Sequence, residues 1–293
     1  MLALIKRWNH PTQFDHFTFM PGITDLPEDL LVPIFSLARE SPLDVLQLGY
    51  VCSDWKRIVS STGALFAEIT AGTDYDTDVS FDQLSGVLVL SRDAPLHLTV
   101  RCWVEKDYNV ACAAILDHMG HIRELELHVD VLDWESHGTA VCPLKSALSV
   151  PAPMLEDAFI DLDGAHLWAV VDYQLFGGFA PCLTRLQLHG VEITNPIQPA
   201  FSRIEYFFGP SAISDMAGRT ALVAHALTLG QLFPALADLT LTDSTSFLAI
   251  TECDVFPTHL DGSDIRYCRR LRDDESDEIE TGYEALRGLE TAN

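Results

Sequence analysis

The chain has 293 residues and a formal net charge of -25, from 43 Asp plus Glu against 18 Lys plus Arg, and 48% of it is hydrophobic. That apolar content excludes a wholly disordered chain, and the length suits one elongated domain or two ordinary ones. So acidic a balance opposes phosphate backbones and anionic lipid heads, so neither nucleic acid nor a membrane surface is expected as a partner.

Residues 1–21 read as an N-terminal extension. Its start, "MLALIKRWNH", places Lys6 and Arg7 after too short an apolar run for a signal peptide. None of the four asparagines opens an Asn-x-Ser/Thr acceptor, and no apolar run is long enough to span a bilayer. Seven cysteines, at 52, 102, 112, 142, 182, 253 and 268, form no CxxC pair, and an odd count in a long chain is not a disulfide framework. They read as buried thiols in a reducing compartment, cytoplasmic or nuclear.

The densest pattern lies in "LPEDLLVPIFSLARESPLDVLQLGYVCSDWKRI", Leu26 to Ile58. Pro27 suits a first helical turn, Glu28 and Asp29 follow at the positive end of the dipole, and Leu30, Leu31, Ile34, Phe35 and Ala38 recur at offsets of three and four. A helix over about 27–39 is predicted, which Pro33 should kink or break by removing a backbone donor. Ser41 with Pro42 opens a second helix whose apolar face runs through Val45, Leu46, Leu48, Val51, Cys52, Trp55, Ile58 and Val59. Caps at Ser61 or Thr62 then lead to a further anchor in Leu65, Phe66 and Ile69. Three short helices in about 45 residues cannot bury this much apolar surface among themselves, so they require a covering surface.

Residues 22–69 resemble an F-box. The matching positions are Leu26-Pro27, Glu28, Leu30-Leu31, Ile34-Phe35, Val51-Cys52, Trp55, Lys56-Arg57, Ile58, Leu65-Phe66 and Ile69, with Phe66 where the family usually has tryptophan. The resemblance implies docking on a Skp-family linker protein and, through it, on a cullin-based (SCF) ubiquitin ligase. The residues it implies for linker contact are Leu26, Pro27, Leu30, Leu31, Ile34, Phe35, Val51, Cys52, Trp55, Leu65 and Phe66.

From 70 to 255 a helix-like segment followed by a short alternating strand recurs. A helix at Phe81 to Ser91 precedes a strand at Leu96 to Val100, and a helix ending at Met119 precedes a strand at Glu124 to Val129. Further strands are predicted at Phe159 to Leu162, Arg185 to His189, Ile204 to Phe208 and Asp238 to Thr242. Taking Leu98, Leu127, Ile160, Leu188, Tyr206 and Leu241 as equivalent gives steps of 29, 33, 28, 18 and 35 residues. Such spacing suits a degenerate leucine-rich repeat, whose units must stack to cover their apolar faces. The region resembles the leucine-rich-repeat-like segments that follow the F-box in fungal, mushroom-type (basidiomycete-like) proteins, most clearly at "LFGGFAPCLTRLQLHGVEI". The expected fold class is α/β: a three-helix F-box followed by an irregular leucine-rich-repeat-like solenoid. A mixed α/β domain with a parallel sheet is the structural alternative.

Residues 256–293 read as a charged tail, in which Arg266, Arg269, Arg270 and Arg272 precede Asp273, Asp274, Glu275, Asp277, Glu278 and Glu280. A self-paired surface helix or a disordered segment is expected there. Asp74, Asp76 and Asp78 mimic the opening of a calcium loop, but Val79 stands where glycine is needed and Ser85 where a bidentate glutamate is needed. Cys112, His118, His121 and His128 lack zinc-site spacing. Without GxSxG, HExxH, GxxxxGK[ST] or GxGxxG, no catalytic residue, metal or cofactor is expected. The function these readings converge on is a substrate-recognition adaptor for an unidentified protein substrate, the alternative being an interaction scaffold unattached to a ligase.

Overall fold

A computed structural model of the chain describes residues 26–39, 41–72, 77–129, 141–162, 169–193, 198–209, 233–241, 265–269 and 278–281. It opens with helices α1 (Glu28–Ala38), α2 (Pro42–Leu48) and α3 (Ser53–Ser61) and a 3-10 turn at Gly63–Phe66. Ser41 caps α2 through a capping box, its N–H donating to the Asp44 carboxylate at 3.1 Å while its hydroxyl accepts from the Asp44 N–H.

Two expectations for this module are corrected. The second helix is not continuous: Gly49 to Cys52 interrupt it, with Cys52 extended and α3 starting at Ser53. The break re-aims α3 so that Trp55 meets Phe35 edge-on, ring centroids 4.7 Å apart, in a core shared with Val45 of α2. Nor does Pro33 end α1, which continues through it to Ala38. Pro33 and Asp29, four residues earlier, both lie on the exposed side, where the carbonyl left without a helical partner faces water.

The first strand, β1 (Glu68–Ala71), follows the 3-10 turn directly. After it come α4 (Phe81–Ser91), β2 (Leu96–Cys102), α5 (Glu105–His118), β3 (Ile122–Val129), α6 (Val141–Leu148) and β4 (Asp157–Asp161). Next are β5 (Ala169–Val171), a 3-10 turn (Leu175–Gly178), β6 (Arg185–His189), β7 (Val191–Ile193), a 3-10 turn (Pro199–Arg203) and β8 (Tyr206–Gly209). The described residues close with β9 (Asp238–Leu241), β10 (Ile265–Arg269) and β11 (Glu278–Thr281).

Among the described residues one sheet holds nine strands in the order β1-β2-β3-β4-β6-β8-β9-β10-β11, while β5 and β7 pair as a separate two-stranded sheet. Every pair from β1 to β10 is parallel, and β11 joins antiparallel. The architecture is mixed α/β, with N-terminal helices followed by a parallel sheet. β10 and β11 also correct the helical reading of the charged segment at 265–269 and 278–281, which pair as antiparallel strands with Arg269 and Glu278 in register.

Register explains the apolar pattern. Leu98, Leu125, Ala158, Leu186 and Phe207 stand in line across five strands, all buried. The next row is Val100, Leu127, Ile160, Leu188, Gly209 and Leu241. Val100, not Leu98, is therefore the equivalent of Leu127, and Gly209 takes the place expected for Tyr206, which lies on the opposite face. A Cβ on Gly209 would come within 2.9 Å of the Leu188 carbonyl oxygen, so this row has no room for a side chain there.

Helical module and sheet are joined tightly. An added Cβ at Gly63 would collide with the Ser91 carbonyl oxygen at the end of α4, so the two backbones pack directly against each other. Arg39 donates to the Leu65 carbonyl at 2.8 Å and pairs with Glu68 of β1 at 2.9 Å, and Arg92 reaches the Ser60 carbonyl at 2.8 Å. One continuous cluster of buried side chains runs from Leu31 through Phe66 and Leu98 to Leu236.

Candidate docking surface

The eleven residues implied for linker contact divide sharply. Leu31, Phe35, Trp55, Leu65 and Phe66 are buried in the chain's own core, Leu26, Ile34 and Cys52 are half-buried, and Pro27, Leu30 and Val51 are exposed. The buried five hold the helices in place and leave no surface of their own to a partner.

α1 presents two apolar stripes. Leu31, Phe35 and Ala38 face inward, while Leu30, Pro33, Ile34 and Leu37 follow at offsets of three, four and seven along a neighbouring stripe. On that second stripe Leu30 is 54% and Leu37 88% exposed. Tyr50 and Val51 add exposed apolar side chains in the turn between α2 and α3. Leu37 and Pro33 were missing from the implied contacts, although heptad spacing from Leu30 already singles out Leu37. A helix that is apolar on a face its own core does not use is suited to a second protein.

Trp55 carries an anomaly: among the described residues its buried indole N–H has no hydrogen-bond partner. An unmet buried donor costs about 1–3 kcal/mol, so the ring is kept here for its packing on Phe35. Arg57 pairs with Glu28 at 2.9 Å, an exposed contact of little energetic weight that links α3 to the start of α1.

The open face of the sheet is the second surface. Its aromatic side chains form a zigzag across β3, β4, β6 and β8: His128 to Phe159 at 4.9 Å, Phe159 to His189 at 5.3 Å, and His189 to Phe208 at 4.8 Å between ring centroids. Glu126 accepts from Thr99 at 3.1 Å and lies 2.6 Å from the His128 ring nitrogen Nε2. Burial raises the Glu126 pKa, but hydrogen bonds from His128 and Thr99 together outweigh it and leave the carboxyl below its ordinary range. Asp157 moves the other way: burial lifts it, Arg185 at 2.6 Å opposes, and Glu124 and Glu126 add to the lift.

The residues weighed for chemistry are dispersed. Cys112 lies in the core beside Tyr108, while His118 and His121 meet edge-on at 5.1 Å just before the start of β3, the opposite end of that strand from His128. Burial pushes the Cys112 thiol up to about 12 and Cys102 higher still, which keeps both protonated at neutral pH. Of the acidic triplet, Asp74 and Asp76 lie outside the described residues, and the Asp78 N–H donates to the Thr70 carbonyl at 3.0 Å. Among the described residues no group of His, Cys, Asp and Glu is arranged to hold a metal, and no helix is long and apolar enough to cross a membrane.

In comparison with known proteins, the family described as F-box-like matches residues 23–71. An F-box-like domain is therefore present, and its span takes in α1 to α3, the 3-10 turn and β1. Neither the curated proteins nor the solved structures yield a match to the chain.

Proposed function

We propose that this chain is the substrate adaptor of an SCF-type cullin ubiquitin ligase, docking on a Skp-family linker through Leu30, Ile34 and Leu37 of α1 and the Tyr50–Val51 turn. The observation that carries the reading is the exposed apolar stripe of α1 within an F-box-like domain. F-box domains generally bind Skp-family proteins. The sheet, whose parallel strands follow chain order as in a leucine-rich-repeat-like solenoid, selects the protein substrate. The adaptor performs no chemistry itself. Holding a target lysine near a loaded ubiquitin-conjugating enzyme raises its effective concentration, in the cytoplasm or the nucleus.

The test is a pull-down of the purified chain on a Skp-family linker, wild type against a Leu30→Glu, Leu37→Glu double variant. Both positions are exposed, so the variant keeps its circular dichroism spectrum while binding is lost. Equal capture of both proteins, or none by a folded wild type, would rule out docking through this stripe.

A further inference from the structure

The aromatic zigzag of the sheet is bordered by carboxylates. Glu124 stands directly opposite Asp157 on the neighbouring strand, with Glu126 two residues along, and each has a basic partner, His97 at 3.2 Å, Arg185 at 2.6 Å and His128 at 2.6 Å respectively, which leaves carboxylate lone pairs for a further donor. Across β2 to β6 this face carries Glu124, Glu126, Asp157 and Asp161 against the guanidinium groups of Arg101 and Arg185. Solvent reaches these groups: the side chains of Glu124 and Glu126 are 42% and 43% exposed and His128 is 30% exposed. The half-buried Phe159 and His189 rings, tilted by 40° against each other, leave π surface beside that charge, and the buried Phe208 backs His189.

From this we infer that the sheet face binds an arginine-bearing segment of a basic protein, its guanidinium groups stacking on the half-buried Phe159 and His189 rings and pairing with Glu124, Glu126 and Asp157. Arginine fits better than lysine because a planar guanidinium can lie against a ring while its edge reaches a carboxylate. The net charge of -25 draws such a segment toward the chain and repels nucleic acid. The inference rests on the adaptor reading in calling this occupant a substrate. The binding itself does not involve α1.

The experiment is fluorescence anisotropy of the full chain with three labelled twelve-residue peptides, in which glycine alternates with arginine, lysine or glutamate. The arginine peptide is expected to bind, the lysine peptide more weakly and the glutamate peptide not at all. Phe159→Leu, which keeps apolar volume but removes the ring, should weaken the arginine peptide by about three- to thirtyfold. Glu126→Gln should weaken it as well, whereas Asp82→Asn, one exposed charge removed on α4, should leave it unchanged. Circular dichroism confirms that each variant is folded. Binding that falls equally in Asp82→Asn and Glu126→Gln, or that ignores Phe159→Leu, would show attraction to net charge alone and overturn the site, as would no binding. The Leu30→Glu, Leu37→Glu variant separates the two readings, since it should lose the linker yet keep the peptide.

Discussion

The helical module and the parallel sheet distribute apolar residues differently. In β1, β2, β4 and β6 side chains alternate, and β2 reads buried, half-buried, buried throughout its length. In α1 the inward stripe of Leu31 and Phe35 has an outward neighbour in Leu30, Ile34 and Leu37. A strand buries one face through its period of two, but a helix can carry two apolar stripes about 100° apart, and only one is needed for its own core. Surplus apolar surface therefore marks the proposed docking face in the helices, whereas in the sheet the proposed mark is charge and aromatic rings on the polar side.

The comparison breaks most severely if the inward stripe is emptied. Trp55→Ala should cost about 3–5 kcal/mol in urea unfolding. Because Gly63 abuts Ser91 and one buried cluster spans both regions, the helices and the sheet should unfold in a single transition. Two separate transitions would show that the module folds independently. Trp55→Phe should be far milder, within about 1.5 kcal/mol, because it keeps most of the ring and removes the unmet donor.

A smaller loss is expected from Gln198→Leu on the sheet's helical side. The buried Gln198 amide accepts from the Leu175 N–H at 2.9 Å and donates to the Tyr173 carbonyl at 2.7 Å, holding the 3-10 turn. Removing it strands both backbone groups and should cost about 1–3 kcal/mol for each that finds no water. An unchanged unfolding midpoint would mean that solvent replaces the amide.

Smaller again is a pH effect. Burial lowers the pKa of His118 and of His121, the latter lowered further by His118 itself. The unfolded chain therefore takes up protons first, near the ordinary histidine value of about 6.5, and stability should fall as pH drops below about 7 toward the folded-state values. His121→Gln should flatten the melting temperature across this window, and an equally steep profile in the variant would exclude the pair as its source. The smallest effect belongs to the outward stripe, where Leu30→Glu with Leu37→Glu should leave stability within about 0.5 kcal/mol while abolishing linker capture.

Much of this was legible from residues alone. The Ser41-Pro42 start of α2, the Phe81–Ser91 span of α4 and the Arg185–His189 span of β6 follow from caps and periodicity, which act over one or two turns of chain. The interruption at Gly49–Cys52 did not, because the apolar residues continue in helical phase across it and only the meeting of Trp55 with Phe35 requires the turn. Tyr206 misled for a similar reason: apolar runs in "IEYFFG" fit two strand phases, and pairing with β6 selects the one that buries Phe207.

The sequence by itself determined the local elements, the presence of an F-box-like pattern and the net acidity, since these depend on composition and on neighbours along the chain. Tertiary structure decided which apolar residues remain available, burying Phe35 and Trp55 and leaving Leu30 and Leu37 outside, because burial depends on what packs against a helix. It also decided that His128, Phe159, His189 and Phe208, 80 residues apart from first to last, meet as one surface. Register between strands, which no single segment encodes, is what placed them side by side.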